Sequence, residues 1–112
     1  MTNGESNEKI VKSEFYYSDR KSIFEYGEAT FGEKAANIFY EDLLFYVENI
    51  ETQYLMHPEC RHLETKTKKY RNIILGSYLI IYRITTNRIE VLRAFHSSRS
   101  PKTIQKVRKI KI

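Results

Sequence analysis

Hydrophobic and polar residues alternate over Lys9–Tyr17, with Val11, Phe15 and Tyr17 on one side and Lys12 and Glu14 on the other. A period of two predicts a first strand. The period then lengthens. Ser18 and Asp19 offer the short side-chain oxygens that satisfy free N–H groups at a helix start, and Ile23, Phe24 and Phe31 make a thin apolar stripe that stops near Gly32. From Glu33 onward Ala36, Phe39, Tyr40, Leu43, Tyr46, Val47 and Ile50 recur at steps of three and four, which predicts a second helix with one broad apolar face. The short Phe31-Gly32 joint makes the two helices neighbours in a hairpin that must lie on a sheet.

Glu51–Lys69 has no periodicity, contains Pro58 and ends in Lys66, Lys68 and Lys69, so it reads as a long basic crossing loop. Beyond it, Tyr70–Leu75, Tyr78–Thr85 and Arg88–His96 are rich in Ile, Tyr, Val and Leu and are separated by the hairpin signals Gly76-Ser77 and Thr86-Asn87. Counting outward from two-residue turns sets Leu75 opposite Tyr78, Thr85 opposite Arg88 and Arg83 opposite Glu90. One face then holds Arg71, Ile73, Leu75, Tyr78, Ile80, Tyr82, Ile89, Val91, Arg93 and Phe95. The other holds Asn72, Ile74, Leu79, Ile81, Arg83, Leu92, Ala94 and His96.

Both faces are apolar, although an antiparallel sheet with one helical layer usually wets its open side. Either a partner covers the second face, another chain or another copy, or the tail Ser100–Ile112 folds back over it. That tail mixes Ile104, Val107, Ile110 and Ile112 with cations, and suits a basic helix or an added edge strand. The expected class is α+β: an N-terminal strand, a two-helix hairpin, then a three-stranded antiparallel meander. Residues 1–8 read as a flexible leader, 9–100 as a single domain and 101–112 as a basic tail.

Composition narrows the function classes. With 112 residues, 41% hydrophobic and 29% charged, the chain suits one compact domain that needs no metal or disulfide staple. A lone cysteine, Cys60, no apolar signal-like start and no apolar run near ~18 residues point to a cytoplasmic protein without membrane contact. Charge is unevenly distributed. Up to Ile50 there are five Lys/Arg against ten Asp/Glu, whereas from Glu51 fourteen Lys/Arg face four Glu. A basic second half suits a polyanionic or acidic partner; alternatively, basic strands neutralise acidic helices within the fold.

His57, Cys60, His62 and His96 lack metal-ligand spacing, and there is no Gly-rich phosphate loop and no nucleophile elbow, so neither metal nor cofactor is expected. What remains is a cationic surface of Lys66, Lys68, Lys69, Arg71, Arg83, Arg93 and Arg99, with His96 at the end of the last strand. These residues suit either of two tasks. They can stabilise a phosphorane dianion while His96 moves a proton, which is metal-free RNA cleavage. Or they can dock an acidic protein or a phosphate backbone with no chemistry. A structural reading competes at two positions: Arg83 has Glu90 for a cross-strand ion pair, and a strand-end histidine such as His96 is commonly a hydrogen-bonded structural residue.

The run Tyr78-Leu79-Ile80-Ile81-Tyr82-Arg83-Ile84, followed by Ile89 to Arg99 with Val91, Leu92, Arg93, His96 and Arg99, resembles the paired-strand signature of the RelE/ParE toxin superfamily. Ser18-Asp19, Tyr26, Phe31-Gly32 and Ala36 resemble that family's helical hairpin, and Pro58 falls in its long loop. The resemblance runs from about Val11 to Pro101. It implies a helical hairpin on a twisted antiparallel sheet, and a plasmid stabilisation toxin encoded beside a cognate antitoxin whose disordered segment wraps over it. Assembly as a homodimer or as a heterotetramer with the antitoxin is open.

Two branches of the superfamily differ in mechanism. RelE-like members cleave mRNA on the ribosome with loop cations, a sheet arginine, an arginine after the last strand and a tail tyrosine. Lys66, Lys68, Lys69 and Arg99 match that set, and His96 fits a ribonuclease role. The sheet position, however, is Leu79, and no tyrosine follows Tyr82. Loss of one cationic transition-state stabiliser costs on the order of 3 kcal/mol. ParE-like members resemble the sequence better, with an aliphatic residue at the Leu79 position and a histidine at His96. The resemblance therefore implies a non-enzymatic inhibitor of DNA gyrase, with a ribosome-dependent mRNA endonuclease and a degenerate toxin that only binds antitoxin as alternatives.

Overall fold

The protein is described by a computed structural model over residues 9–112; the leader expected at residues 1–8 lies outside the described residues. The elements are β1 (Lys9–Lys12), α1 (Glu14–Phe31), α2 (Glu33–Glu48), α3 (Ile50–Gln53), β2 (Tyr70–Leu75), β3 (Tyr78–Ile84), β4 (Arg88–His96) and α4 (Pro101–Gln105), followed by a 3-10 turn, Lys106–Lys109. The sheet order is β1-β4-β3-β2. The strand β1 runs parallel to β4, and the other pairings are antiparallel.

The first strand is shorter than its alternation suggests, because Ser13 ends it. The Ser13 Oγ accepts the N–H of Tyr16 at 3.0 Å, capping α1, and donates to the Leu92 carbonyl at 2.6 Å. The Ser13 N–H donates to the Val91 carbonyl at 2.9 Å. One buried hydroxyl thus starts the helix and ties it to β4. Phe15, Tyr16 and Tyr17 are helical, contrary to the strand reading, and Ser18 and Asp19 lie inside α1 rather than at its start. Tertiary contacts outweigh the strand preference of a Phe-Tyr-Tyr run.

Gly32 closes α1 and opens α2. Its N–H donates to the Glu28 carbonyl and its own carbonyl accepts from the Ala36 N–H, both at 3.1 Å, at a φ of 95°. That backbone conformation is unfavourable for any residue with a Cβ. Gly32→Ala is expected to lower the unfolding free energy by about 1–3 kcal/mol, read by urea denaturation; an unchanged midpoint would mean the hairpin joint relaxes freely.

The meander pairs as the turn lengths require, Leu75 with Tyr78 and Arg83 with Glu90. One irregularity was not legible. Between Ile81 and Tyr82 the register shifts, so Val91 opposes Tyr82 and Arg93 opposes Ile81, leaving Leu92 as the extra residue of a β-bulge. The bulge reverses the alternation beyond it. Ala94 joins the helix-side cluster with Ile80 and Tyr82, and Phe95 joins the opposite cluster with Ile81 and Leu92, the reverse of the expected faces.

Two cores result, one on each side of the sheet. Tyr16, Leu43, Val47 and Ile50 of the helices cover Ile73, Ile80, Tyr82, Ile89 and Val91. On the opposite face the crossing loop, through Cys60 and Leu63, and the tail, through Ile104 and Val107, cover Tyr70, Ile81, Leu92 and Phe95. Of the two expected covers for the second face, the chain uses its own tail. The open apolar face awaiting a partner is therefore corrected: the tail is helical, and its buried Ile104 and Val107 shield the strands. Among the described residues no helix is long and apolar enough to cross a membrane.

Candidate functional site

The seven cations expected to form a surface separate into two groups. Arg71, Arg83 and Arg93 are engaged within the fold. Arg71 donates to the carbonyls of Lys68, Leu55 and His57 at 3.2, 3.3 and 2.9 Å, pinning the crossing loop to β2. The Tyr82 hydroxyl helps, donating to the Tyr54 carbonyl at 2.6 Å.

Arg83 and Arg88 clamp Glu90. Arg83 Nε reaches Glu90 Oε1 at 2.6 Å, and Arg88 reaches Oε2 through Nε at 2.9 Å and Nη2 at 2.6 Å. Burial alone would raise the Glu90 carboxyl; the hydrogen bonds and charges of the two guanidinium groups outweigh it and hold Glu90 below the usual carboxylate range. Both arginines also secure the tail, Arg83 at the Ile110 carbonyl (2.8 Å) and Arg88 at that of Ile112 (3.0 Å).

Arg93 forms a two-pronged pair with Asp19 of α1, Nε to Oδ2 at 2.7 Å and Nη2 to Oδ1 at 2.8 Å. Asp19 Oδ2 also accepts the Ala94 N–H at 2.9 Å, so this carboxylate joins helix to sheet rather than capping a helix. The Arg93 guanidinium lies over the Phe95 ring at 4.5 Å.

Lys66, Lys68, Lys69 and Arg99 remain exposed. They do not converge. Lys69 sits at one end of β3, where its carbonyl accepts the Ile84 N–H at 2.7 Å, whereas His96 pairs with Tyr78 at the other end. At about 3.3 Å per residue the intervening strand separates them by roughly 20 Å. At the His96 end, Arg99 lies over Phe95 at 5.0 Å, and the Arg99 N–H donates to the His96 carbonyl at 3.1 Å. His96 Nδ1 accepts the Ser98 N–H at 3.1 Å and lies 2.8 Å from Ser98 Oγ, leaving Nε2 as its outward atom.

Leu79, at the position where a ribonuclease of this superfamily would carry its sheet arginine, packs against the apolar cluster of Ile81, Leu92 and Phe95. Burial, reinforced by the carboxylates of Glu64 and Glu59, pushes the Cys60 thiol up to about 12, so it is neither a nucleophile nor a ready metal ligand at neutral pH. No group of His, Cys, Asp and Glu among the described residues is arranged to hold a metal ion.

The structure adds two features that sequence reasoning did not assemble. Beside His96, Tyr78 packs edgewise on the imidazole at 5.5 Å and at a tilt on Phe39 at 5.4 Å. Tyr78 and Phe39, with Tyr26, Phe31 and Ala36, line an apolar groove of about 250 Å³ between the helical hairpin and the sheet. Phe31 and Tyr26 are 70% and 59% exposed, too open to be core. At the far end of the sheet, tail residues Arg108 and Lys111 join Lys69 and Arg71 around a second, larger cleft. The helix periodicity placed Phe39 in a stripe facing a sheet, and the tail was an expected cover, but nothing local set which strand residues either would meet.

Residues 17–101 match the family model described as the ParE toxin of the type II toxin-antitoxin system, parDE. A solved structure of the chromosomal ParDE TA system from P. aeruginosa is similar in fold, with a TM-score of 0.65 and 13% identity over 80% of this chain and 95% of that one. No curated protein sequence matches. The family match spans most of the chain and includes the helical hairpin and all three strands of the meander, and the chain therefore belongs to the ParE toxin family of type II toxin-antitoxin systems.

Proposed function

We propose that the chain poisons DNA gyrase by protein contact, stalling the enzyme on cleaved DNA without catalysing a reaction, and that a cognate antitoxin neutralises it. The observation that carries this reading is the separation of the cations. A phosphorane dianion needs its stabilisers within hydrogen-bond reach of one phosphate, and a proton shuttle beside them. Here, of the expected set, Arg99 alone shares the imidazole's end of the sheet; the loop lysine Lys69 stands at the other end of β3, and Leu79, next to Tyr78, supplies no charge. The exposed rings of Tyr26 and Phe31 beside Tyr78 and His96 support a contact role instead, because aromatic side chains bury large area at low entropic cost on docking.

Purified chain added to gyrase and supercoiled plasmid is expected to accumulate linear, protein-linked DNA, and Phe31→Ala combined with Tyr26→Ala to reduce that accumulation by about tenfold or more. Normal supercoiling at excess toxin would overturn the reading. So would transcript cleavage in a translating extract that is lost in His96→Ala, since that result is the signature of a ribonuclease.

A further inference from the structure

The tail that shields the second face of the sheet also completes a cleft of about 740 Å³ beside the start of β2 and the end of β3. Lys69, Arg71, Arg83, Arg108 and Lys111 line it, and among the described residues no Asp or Glu does. Their freedom differs. Arg83 is neutralised by Glu90. Arg71 is held by three carbonyls, so its position is fixed while its charge meets no carboxylate among the described residues. Lys69, Arg108 and Lys111 are exposed and pair with no carboxylate among the described residues. The imbalance continues along the chain, which has seven Lys/Arg and no Asp or Glu after Glu90.

Like charges held around one concavity repel one another, and the fold offsets this with the tail anchors from Arg83 and Arg88. An anion relieves that repulsion. Four uncompensated cations spread over a cleft of this size suit an extended polyanion better than a single small ion. Thr67 and Thr86 add hydroxyls of the kind that bond phosphate oxygens, whereas the Thr85 hydroxyl already donates to the Arg88 carbonyl at 2.8 Å. The aromatic ring at the cleft, Tyr70, is 5% exposed and offers no open face for stacking a base. Single-stranded nucleic acids depend on such stacking platforms, whereas duplex backbones do not.

We propose that this cleft binds the phosphate backbone of duplex DNA without reading bases. The choice of DNA rests on the gyrase reading above, while the phosphate chemistry of the cleft does not. The test uses the full chain and a short fluorescent DNA duplex, with binding followed by anisotropy across a salt series. Four phosphate contacts predict a log–log salt slope of about −3 to −4. Lys69→Glu, Arg108→Glu and Lys111→Glu together should weaken binding by more than about tenfold and flatten the slope towards about −1. Their thermal unfolding should not fall below that of the wild type, since all three side chains are exposed and the substitutions relieve the repulsion around the cleft. Charge reversal at Arg99 and Lys102, at the His96 end, should leave most of the affinity in place.

Equal binding by wild type and the cleft variant would overturn the proposal, as would no binding at low salt, or tighter binding of single-stranded RNA than of the duplex. Gyrase is absent from this measurement, so the two readings fail separately. DNA bound through the cleft with undisturbed supercoiling would remove only the gyrase reading; gyrase poisoning without DNA binding would remove only the cleft.

Discussion

Ile104→Ala combined with Val107→Ala is expected to lower the unfolding free energy by about 4–6 kcal/mol, because each substitution leaves a cavity under a cover that has no substitute. Ile104 and Val107 are 4% and 1% exposed, and they are the tail's fully inserted side chains over Ile81, Leu92 and Phe95. Marginal domains have a total stability of about 5–15 kcal/mol, so the double variant should be largely unfolded or aggregation-prone at modest denaturant. Urea denaturation followed by circular dichroism reads the effect. A neutral outcome would restore the alternative that another chain covers this face, since a tail that merely rests there contributes nothing measurable. Adding the antitoxin makes a second comparison: if it covered the face, it would rescue the double variant to wild-type stability.

Glu90→Gln should cost about 3 kcal/mol at neutral pH, since it leaves two guanidinium groups without their counter-charge in a partly buried site. The carboxylate is 6% exposed, against 12% for Arg83 and 32% for Arg88, so most of the cost falls on Arg83. The effect should depend on pH in one direction. Glu90 titrates lower in the folded chain than in the unfolded chain, so its contribution is complete above the unfolded value, about 4.3, and is lost as pH falls through the folded value. Wild type and Glu90→Gln should therefore converge in stability on acidification and diverge again towards neutrality. A difference that stays constant from neutral pH to pH below about 3 would show that Glu90 acts through shape rather than charge. Because Arg83 and Arg88 also hold the tail carbonyls of Ile110 and Ile112, faster amide exchange near Ile110 should accompany the loss.

The two substitutions perturb opposite ends of one arrangement. The ion-paired strands hold the end of the tail, and the tail's aliphatic side chains hold the second core. The basic cleft depends on both. Seating the tail brings Arg108 and Lys111 beside Lys69 and Arg71, and the helical hairpin brings Phe31 and Phe39 beside Tyr78. Neither surface exists in the extended chain.

What could be read from residue order was what depends on near neighbours. Three- and four-residue spacing from Ala36 to Val47 is enough to define α2, and two-residue turns at Gly76-Ser77 and Thr86-Asn87 are enough to set Arg83 against Glu90. The family resemblance came from the same local strings. What tertiary structure alone decided depends on groups far apart in the chain. Ser13 begins a helix because its hydroxyl also meets the Leu92 carbonyl, and Asp19 of α1 is a clamp because Arg93 and Ala94 reach it from β4. Leu92 bulges and exchanges the faces of Ala94 and Phe95, which no alternation rule can see, since the rule assumes an unbroken ladder. The tail was ambiguous for a related reason: apolar residues mixed with cations specify that a surface must be buried, and only the geometry of the finished sheet says against what.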